Sequence, residues 1–272
     1  GALYVVALPL GNAADITLRA LWILARVDVI AAEDTRVTRP LLERFGIHVP
    51  LLAAHRHNER ASAQAIEARL DAGERVALVT DAGTPAVSDP GALIVRAALA
   101  AGRRVVPVPG ASSAVAAVSV AGLAAHEFQF IGFLPTGVQQ RKRMLADLAA
   151  QPMPFVLYEA PHRVRALLDL LASALTPTRR IVIARELTKK FEQVSVHRAD
   201  DLAAFAVQER GEFVIVVDAA EAVSSSAVDP QTRRWLDALA VELPAARAAA
   251  VVAKVSGANR HELYEILKQR DA

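Results

Sequence analysis

Between residue 1 and about residue 110, short uninterrupted apolar runs alternate with longer segments of helical periodicity. Uninterrupted apolar runs are typical of strands that helices cover on both faces, as in parallel sheets. Each crossover between parallel strands needs a connecting element, which is usually a helix. The alternation therefore predicts an α/β domain on a parallel sheet, with strands at Leu3–Leu8, Val27–Ala32, Val76–Thr80 and Arg104–Pro107.

The loops that follow three of these strands are rich in glycine and proline. The longest is Thr80–Gly91 (TDAGTPAVSDPG), and the others are Pro9–Asn12 and Pro107–Ser113. A strand-to-helix loop needs only about 2–6 residues, so the longest of the three is more than a connector. Because ligands bind at the carboxyl ends of strands in open α/β sheets, the three loops predict one shared ligand crevice.

The composition of these loops restricts the ligand. Neither Gly-x-Gly-x-x-Gly nor Gly-x-x-x-x-Gly-Lys-Ser/Thr occurs in them, so dinucleotide and P-loop nucleotide binding lose their usual support. Proline also lacks the N–H group that would bind a phosphate. Backbone carbonyls and small hydroxyls favour a ligand that is apolar, cationic or both.

The pattern changes after Gly122, where strand-like runs become more frequent and crossover helices fewer. This predicts a mixed sheet in a second α/β domain, with a helix at Asp200–Ala206 among its elements. The Ser-rich segment Ala219–Pro230 indicates a linker, and the chain after it is predicted to be helical. The predicted division is an N-terminal α/β domain (1–113), a C-terminal α/β domain (114–220) and a helical tail (230–272) with possible RNA contact.

Composition excludes some classes of protein. The absence of cysteine rules out disulfides and thiolate metal sites, and it fits a cytoplasmic location. No apolar run reaches the roughly 18 residues of a membrane span, and the N-terminal segment is interpreted as a first strand, not a signal peptide. The net charge of +2 is weak evidence for a nucleic-acid partner, so any such evidence must come from local clusters of basic residues.

Two polar clusters have alternative interpretations. Glu33-Asp34-Thr35-Arg36 follows the second strand and is either a helix N-terminal cap or a carboxylate at the crevice that serves as a base. His55, His57 and Glu59 lie close together, but no cysteine or fourth ligand accompanies them. A metal site is therefore not predicted there, and contact with substrate or a polar network is favoured.

Basic clusters also allow two interpretations. Arg141-Lys142-Arg143 follows a Gly-Phe-Leu-Pro segment, and Lys189-Lys190 follows Arg185-Glu186-Leu187-Thr188. Each is either solvated surface or, beside Phe133, Tyr158 and His162, a contact for a phosphate backbone.

Several motifs carry a family resemblance. They are LYVVALPLGNAADITLRA (3–20), AAEDTR (31–36), LVTDAGTPAVSDPG (78–91), VPVPGASS (106–113), YEAPHR (158–163) and ARELTK (184–189). In order and spacing the chain resembles, over nearly its whole length, the ribosomal-RNA-methylating members of the tetrapyrrole (corrin/porphyrin) methylase superfamily. It departs from that pattern at Leu8, where the family usually has Thr, and at Thr80, where Ser is usual.

The resemblance implies two α/β domains with S-adenosylmethionine in the cleft between them, usually in a homodimer. It implies methyl transfer to the ribose 2′-hydroxyl of a cytidine in the decoding region of 16S rRNA, within the 30S ribosomal subunit. Two other functions stay open: methylation of a small tetrapyrrole on the same scaffold, and non-catalytic RNA binding with a vestigial cleft.

The resemblance also implies site residues. The implied cofactor contacts are Leu10, Gly83, Thr84, Pro85, Val87, Ser112, Ser113, Tyr158, Glu212, Phe213 and Val214. The catalytic candidates are Glu33 or Asp34 as base with Arg36 as orienter, the runner-up set is Arg185, Glu186 and Lys189, and positioning without a dedicated base is a further alternative. The predicted RNA contacts are His57, Arg141, Lys142, Arg143, His162, Arg163, Arg185 and Lys189.

Overall fold

The computed structural model describes residues 1–55, 59–123, 127–220 and 230–270. The chain divides into two compact units, Gly1–Ala220 and Glu221–Ala272. The first unit contains two five-stranded sheets with helices on their faces, which confirms the predicted α/β class. The proposed division of this unit at residue 113 stays a prediction.

The first sheet is parallel throughout, as the apolar runs predict. Its strand order is β3-β2-β4-β1-β5. The strands are β1 (Ala2–Val6), β2 (Val29–Ala32), β3 (Leu51–Ala53), β4 (Arg75–Val79) and β5 (Arg104–Val108). The helices between them are α1 (Leu18–Leu24), α2 (Thr35–Arg44), α3 (Glu59–Asp71) and α4 (Ala92–Ala100).

Both faces of this sheet are covered. On one face Ala20, Ile23 and Leu24 of α1 and Leu42 of α2 pack with strand residues in one buried cluster. On the other face Ile66 and Leu70 of α3 pack with Ile94 and Ala98 of α4. Burial on both sides explains why the strands carry apolar residues without alternation.

The second sheet is mixed, in the order β6-β7-β10-β8-β9, also as predicted. Its strands are β6 (Gln129–Phe133), β7 (Phe155–Glu159), β8 (Arg180–Arg185), β9 (Gln193–Arg198) and β10 (Phe213–Val217). The strands β6 and β7 are parallel, whereas β10 runs antiparallel to both β7 and β8. The helices α6 (Val138–Ala149) and α7 (Pro161–Ala174) cover one face, and α5 (Ser113–Ala121) covers the other.

Two details of the predicted secondary structure are wrong. The prediction omitted β3, which pairs at the edge of the first sheet and has only three residues. The helix predicted at Asp200–Ala206 is instead a single 3-10 turn at Ala199–Asp201. The guanidinium of Arg165 donates to the Leu202 and Phe205 carbonyls, both at 2.8 Å, and so gives both carbonyls a partner outside a helix.

The C-terminal unit consists of α8 (Pro230–Glu242), α9 (Ala245–Ser256) and α10 (Arg260–Arg270), which confirms the predicted helical tail. Its buried cluster combines residues from all three helices: Leu236, Ala248, Ala249, Val252, Leu263 and Leu267. Gly257 ends α9 in the left-handed conformation, and Asn259 Oδ1 accepts the His261 N–H at 2.8 Å where α10 begins. Two helices joined by so short a Gly-containing turn form a helix-turn-helix.

Among the residues that the structure describes, no helix is both long and apolar enough to cross a membrane.

Candidate functional site

The three Gly/Pro loops lie together at the carboxyl edge of the first sheet, as predicted. The Leu8 N–H donates to the Gly83 carbonyl and the Gly83 N–H donates to the Leu8 carbonyl, both at 2.9 Å. The Thr84 hydroxyl donates to the Ala111 carbonyl at 3.0 Å, so the longest loop contacts both of the others. Backbone and side-chain hydrogen bonds therefore join all three loops.

The longest loop has an unusual backbone. Gly83 has φ +74°, which glycine adopts without cost, but Ala86 and Ser88 also have φ +67°. Positive φ at such residues costs on the order of 1–3 kcal/mol each and is found most often at functional sites. The longest loop therefore has a defined backbone conformation that a simple connecting turn would not need.

Tyr158, near the end of β7, joins the second sheet to the helix that leaves the third loop. Its hydroxyl accepts hydrogen bonds from the Ser113 hydroxyl (2.7 Å) and the Ala114 N–H (3.2 Å). The rings of Phe130 and Phe133 pack edge-on against it, with centroids 5.0 and 5.6 Å away. Burial raises the pKa of the Tyr158 phenol, so it remains a neutral positioning group.

A cleft of about 400 Å³ lies between the three loops and the second sheet, within the usual size range of small-molecule sites. All but one of the eleven predicted cofactor residues line it. The exception is Pro85, which is buried in its loop and does not line the cleft. The residues around the cleft are Leu10, Glu33, Asp81–Thr84, Val87–Asp89, Ser112, Ser113, Phe133, Tyr158–Pro161, Leu187 and Glu212–Val214.

The charge of this lining restricts the ligand further. Five carboxylates line the cleft, and the described lining residues include no Lys, Arg or His. Two of the five, Glu159 and Glu212, pair with Arg163 and Lys189 outside the lining, and the set as a whole, with its hydroxyls and apolar side chains, fits a cationic ligand better than a phosphate. The cofactor contacts that the resemblance implies do not include Asp81, Asp89, Glu159 or Leu187, although all four lie in the motifs that carry it.

The structure separates the three catalytic candidates. Asp34 caps α2 through its Oδ1, which accepts the Arg36 N–H at 2.8 Å, and its carboxylate pairs with the Arg36 guanidinium at 2.7 Å. These hydrogen bonds lower the pKa of Asp34 to about 2, which makes it a weak base. Glu33 is the one of the three that lines the cleft.

Asp81 lies beside these residues in the same wall. Its Oδ1 accepts the Asp34 N–H at 3.0 Å, which ties the longest loop to the start of α2. Burial raises the pKa of Asp81, so this carboxylate is a better proton acceptor than Asp34. Glu33 and Asp81 therefore both place a carboxylate in this wall of the cleft.

The predicted RNA contacts do not form one exposed patch. Lys142, Arg143 and His162 are exposed, but Arg141 is only 9% exposed and packs into the second half of the unit. Its position on α6 faces the apolar cluster that contains Leu145 and Leu148, each three or four residues apart along the helix. The prediction of three adjacent surface cations is therefore wrong for Arg141.

Three further cations of that set are held by protein partners. Arg163 pairs with the buried Glu159 (3.1 Å) and donates to the Leu134 carbonyl (2.9 Å). Arg185 donates to the Arg210 carbonyl at 2.7 Å. Lys189 pairs with two carboxylates. The remaining candidate, His57, lies outside the described residues.

Glu59 belongs to a polar network, one of the two outcomes expected for its cluster. Its Oε1 accepts the N–H groups of Gly91 (2.8 Å) and Leu93 (3.0 Å) and so caps α4 at the end of the longest loop. Glu59 thus holds the end of the loop that forms the cleft.

Similar folds occur in solved methyltransferases. The methyltransferase CobJ superposes with a TM-score of 0.63 at 23% identity, over 81% of this chain and 95% of that one. The uroporphyrin-III C-methyltransferase of Thermus thermophilus, solved with S-adenosyl homocysteine, gives 0.58 at 21% identity over 79% and 97% of the two chains.

Sequence comparison gives nearer relatives. Ribosomal RNA small subunit methyltransferase I of Xylella fastidiosa is 47% identical over 97% of this chain and 98% of its own. The proteins of that name from Neisseria meningitidis serogroup A and Pseudomonas aeruginosa are 44% and 43% identical, over 98% and 99% of this chain and 92% and 98% of theirs. The model of the tetrapyrrole (corrin/porphyrin) methylases matches residues 2–203, and that of the RsmI C-terminal HTH domain matches 226–270. The chain therefore belongs to the tetrapyrrole (corrin/porphyrin) methylase family and, within it, to the ribosomal RNA small subunit methyltransferase I group.

Proposed function

We propose that the protein transfers a methyl group from S-adenosylmethionine to the ribose 2′-hydroxyl of a cytidine in the decoding region of 16S rRNA. The observation that carries this proposal is the match of both parts of the chain, cleft-bearing unit and helix-turn-helix, to relatives named for that RNA. We place its action in the cytoplasm on the 30S subunit, by a homodimer.

The residues around the cleft fit S-adenosylmethionine. The carboxylates suit its sulfonium and ammonium charges, and the hydroxyls of Thr84, Ser112 and Ser113 suit its polar groups. Apolar side chains such as Leu10 and Val214 suit an adenine ring. When bound, the cofactor supplies an electrophilic methyl group on a sulfonium leaving group.

The chain's own task is to position the acceptor and remove one proton. The ribose oxygen forms a bond to the methyl carbon as the carbon–sulfur bond breaks, and the hydroxyl proton passes to a carboxylate. We assign that carboxylate to Glu33, with Asp81 as the alternative in the same wall. Arg36 holds Asp34 and thereby fixes the start of α2 beside Glu33.

The helix-turn-helix supports RNA over a small tetrapyrrole as substrate. The solved small-molecule methylases cover only about four fifths of the chain, and the group-specific match at 226–270 falls in the C-terminal unit. Exposed Arg260, Tyr264 and Lys268 recur at every fourth position of α10 and so share one side of that helix. Such a stripe of cations around an aromatic ring is suited to a phosphate backbone and a stacked base.

The test is incubation of the protein with 30S subunits lacking the modification and isotope-labelled S-adenosylmethionine, followed by mass spectrometry of the rRNA. We expect one labelled 2′-O-methylcytidine and, by calorimetry, micromolar cofactor binding of on the order of 8 kcal/mol. Free 16S rRNA and a uroporphyrin-type tetrapyrrole serve as parallel substrates. Label on the tetrapyrrole alone, or cofactor binding without any methyl transfer, would contradict the proposal.

A further inference from the structure

Lys189 has a different environment from that of a surface cation. Its Nζ lies 3.0 Å from Glu186 Oε1 and 3.1 Å from Glu212 Oε1. Burial would lower the pKa of Lys189, but the hydrogen bonds and charges of these two carboxylates outweigh it and raise that pKa. The charge of Lys189 is therefore already matched within the protein.

The aliphatic stem of Lys189 packs against the loop that follows β1. A Cβ placed on Gly11 would lie only 2.3 Å from Lys189 Cγ, so the stem occupies the space that a side chain at position 11 would need. Lys189 itself belongs to the segment that follows β8 in the second sheet. One side chain thus joins a loop of the first sheet to a loop of the second.

The immediate neighbours of these contacts line the cleft. Leu10 precedes Gly11, Leu187 follows Glu186, and Glu212 bears the second carboxylate. The Glu186 carboxylate also accepts the Glu212 N–H at 3.0 Å. The four residues Gly11, Glu186, Lys189 and Glu212, here called the latch, therefore connect three parts of the cleft wall.

The backbone around the latch is strained. Glu186 has φ +52° and Thr188 has φ +67°, although neither is glycine. Conformations of this kind persist only where surrounding contacts hold them, and they concentrate at ligand sites. The ion pairs of Lys189 are the side-chain contacts of this turn that reach Glu212, and they act together with its backbone hydrogen bonds, such as that from the Glu186 N–H to the Glu212 carbonyl (3.0 Å).

We propose that Lys189 is a positioning residue for S-adenosylmethionine: the latch fixes Leu10, Leu187 and Glu212 in the conformation that the cofactor binds. This assignment deepens the proposed function and rests on it. It replaces direct RNA contact as the role of Lys189.

A double-substitution cycle with Gly11 tests the assignment, using calorimetry with S-adenosylmethionine on the full chain. We expect Lys189→Ala to weaken binding about ten-fold, because the cofactor must then order the wall. Gly11→Ala should also weaken binding, since its Cβ displaces the Lys189 stem. The double variant should bind no more weakly than Lys189→Ala, because the displaced stem is already gone. Lys189→Met keeps most of the stem without the charge and should be intermediate.

Lys190→Ala is the matched control, because Lys190 is the adjacent exposed cation, beside the Phe191 ring. It should bind the cofactor as the unaltered protein does. The melting temperature without cofactor shows whether each variant is folded. The proposal would be wrong if folded Lys189→Ala bound S-adenosylmethionine with unchanged affinity. It would also be wrong if the losses of affinity in the two single variants multiplied in the double variant. A loss of rRNA binding alone would return Lys189 to RNA contact, and no cofactor binding by the unaltered protein would overturn the proposed function itself.

Discussion

The cleft and the C-terminal helical unit differ in charge. Carboxylates line the cleft, without a described Lys, Arg or His among the lining residues. Residues 230–272 instead contain seven Lys and Arg against five Asp and Glu. The net charge of the whole chain, +2, conceals this difference. Because a small cation and a polyanion need opposite surroundings, we expect the two proposed ligands to bind different parts of the chain.

The largest expected effect concerns the acidic side of the comparison. Glu33→Gln should lower kcat for rRNA methylation by about 10²–10⁴-fold, because the acceptor hydroxyl loses its base. Cofactor affinity should change less than three-fold, since the amide keeps the shape of the wall. Single-turnover assays with 30S subunits, together with calorimetry, measure the two quantities separately.

Asp34→Asn is the companion variant, and Asp81→Asn tests the other carboxylate. Because Asp34 is held by Arg36, we expect its variant to lose less than ten-fold in kcat. Full activity of Glu33→Gln with a large loss in Asp81→Asn would move the base to Asp81. Full activity in both Glu33→Gln and Asp81→Asn would mean that the enzyme positions the substrates without a dedicated base.

Removal of the chain after Ala220 addresses the basic side. We expect rRNA methylation at subsaturating 30S subunits to fall by roughly 100-fold, because the phosphate contacts of the helical unit are lost. Cofactor affinity should stay within two-fold, since every residue that lines the cleft lies before residue 221. Filter binding measures the affinity for rRNA, and calorimetry measures the affinity for the cofactor. Equal loss of both affinities would show that the two regions do not act separately.

A smaller effect is expected at Tyr158, where loss of one hydroxyl removes the hydrogen bonds from Ser113 and Ala114. Tyr158→Phe should weaken cofactor binding about five-fold, equivalent to about 1 kcal/mol in total, because both lost hydrogen bonds lie within the protein and affect the cofactor only through the position of the cleft wall. Tyr264→Phe makes the same chemical change in the helical unit and should leave cofactor affinity unaltered. Equilibrium titration of both variants with S-adenosylmethionine measures the two affinities. An equal loss of affinity in the two would contradict the assignment of Tyr158 to the cofactor site.

The smallest expected effect is an absence of pH dependence. The latch lowers the pKa of Glu186 and raises that of Lys189. Its contribution is therefore complete above the unfolded-state pKa of Glu, about 4.3, and below that of Lys, about 10.4. The ratio of cofactor affinities between the unaltered protein and Lys189→Ala should stay constant between about pH 5.5 and 9. A ratio that changes within this interval would mean that another group titrates in the latch.

Sequence reasoning succeeded where the backbone itself carries the signal. Apolar runs identified the parallel sheet, and the Gly/Pro loops identified the edge where the cleft lies. The positions of long charged side chains were not predicted. Arg141 packs inward, Lys189 pairs with Glu212, and Arg165 binds a carbonyl of the segment predicted to be a helix. The sequence shows that these residues are charged, but Lys189 and Arg165 have partners in distant segments of the chain, which the local sequence pattern does not identify.

The connection between the two sheets has a further consequence. In the part of the chain that the structure describes, the strands of the first sheet lie within residues 2–108 and those of the second within 129–217, so a single passage of the chain connects the two sheets. That passage runs through Ser112 and Ser113, which line the cleft, and the Ser113 hydroxyl donates a hydrogen bond to the Tyr158 hydroxyl at the start of α5. A chain cut just before Ser112 would leave each fragment with every strand of its own sheet. The two fragments should then reassemble through contacts such as that between Gly11 and the Lys189 stem, and the cofactor cleft would be formed by their association.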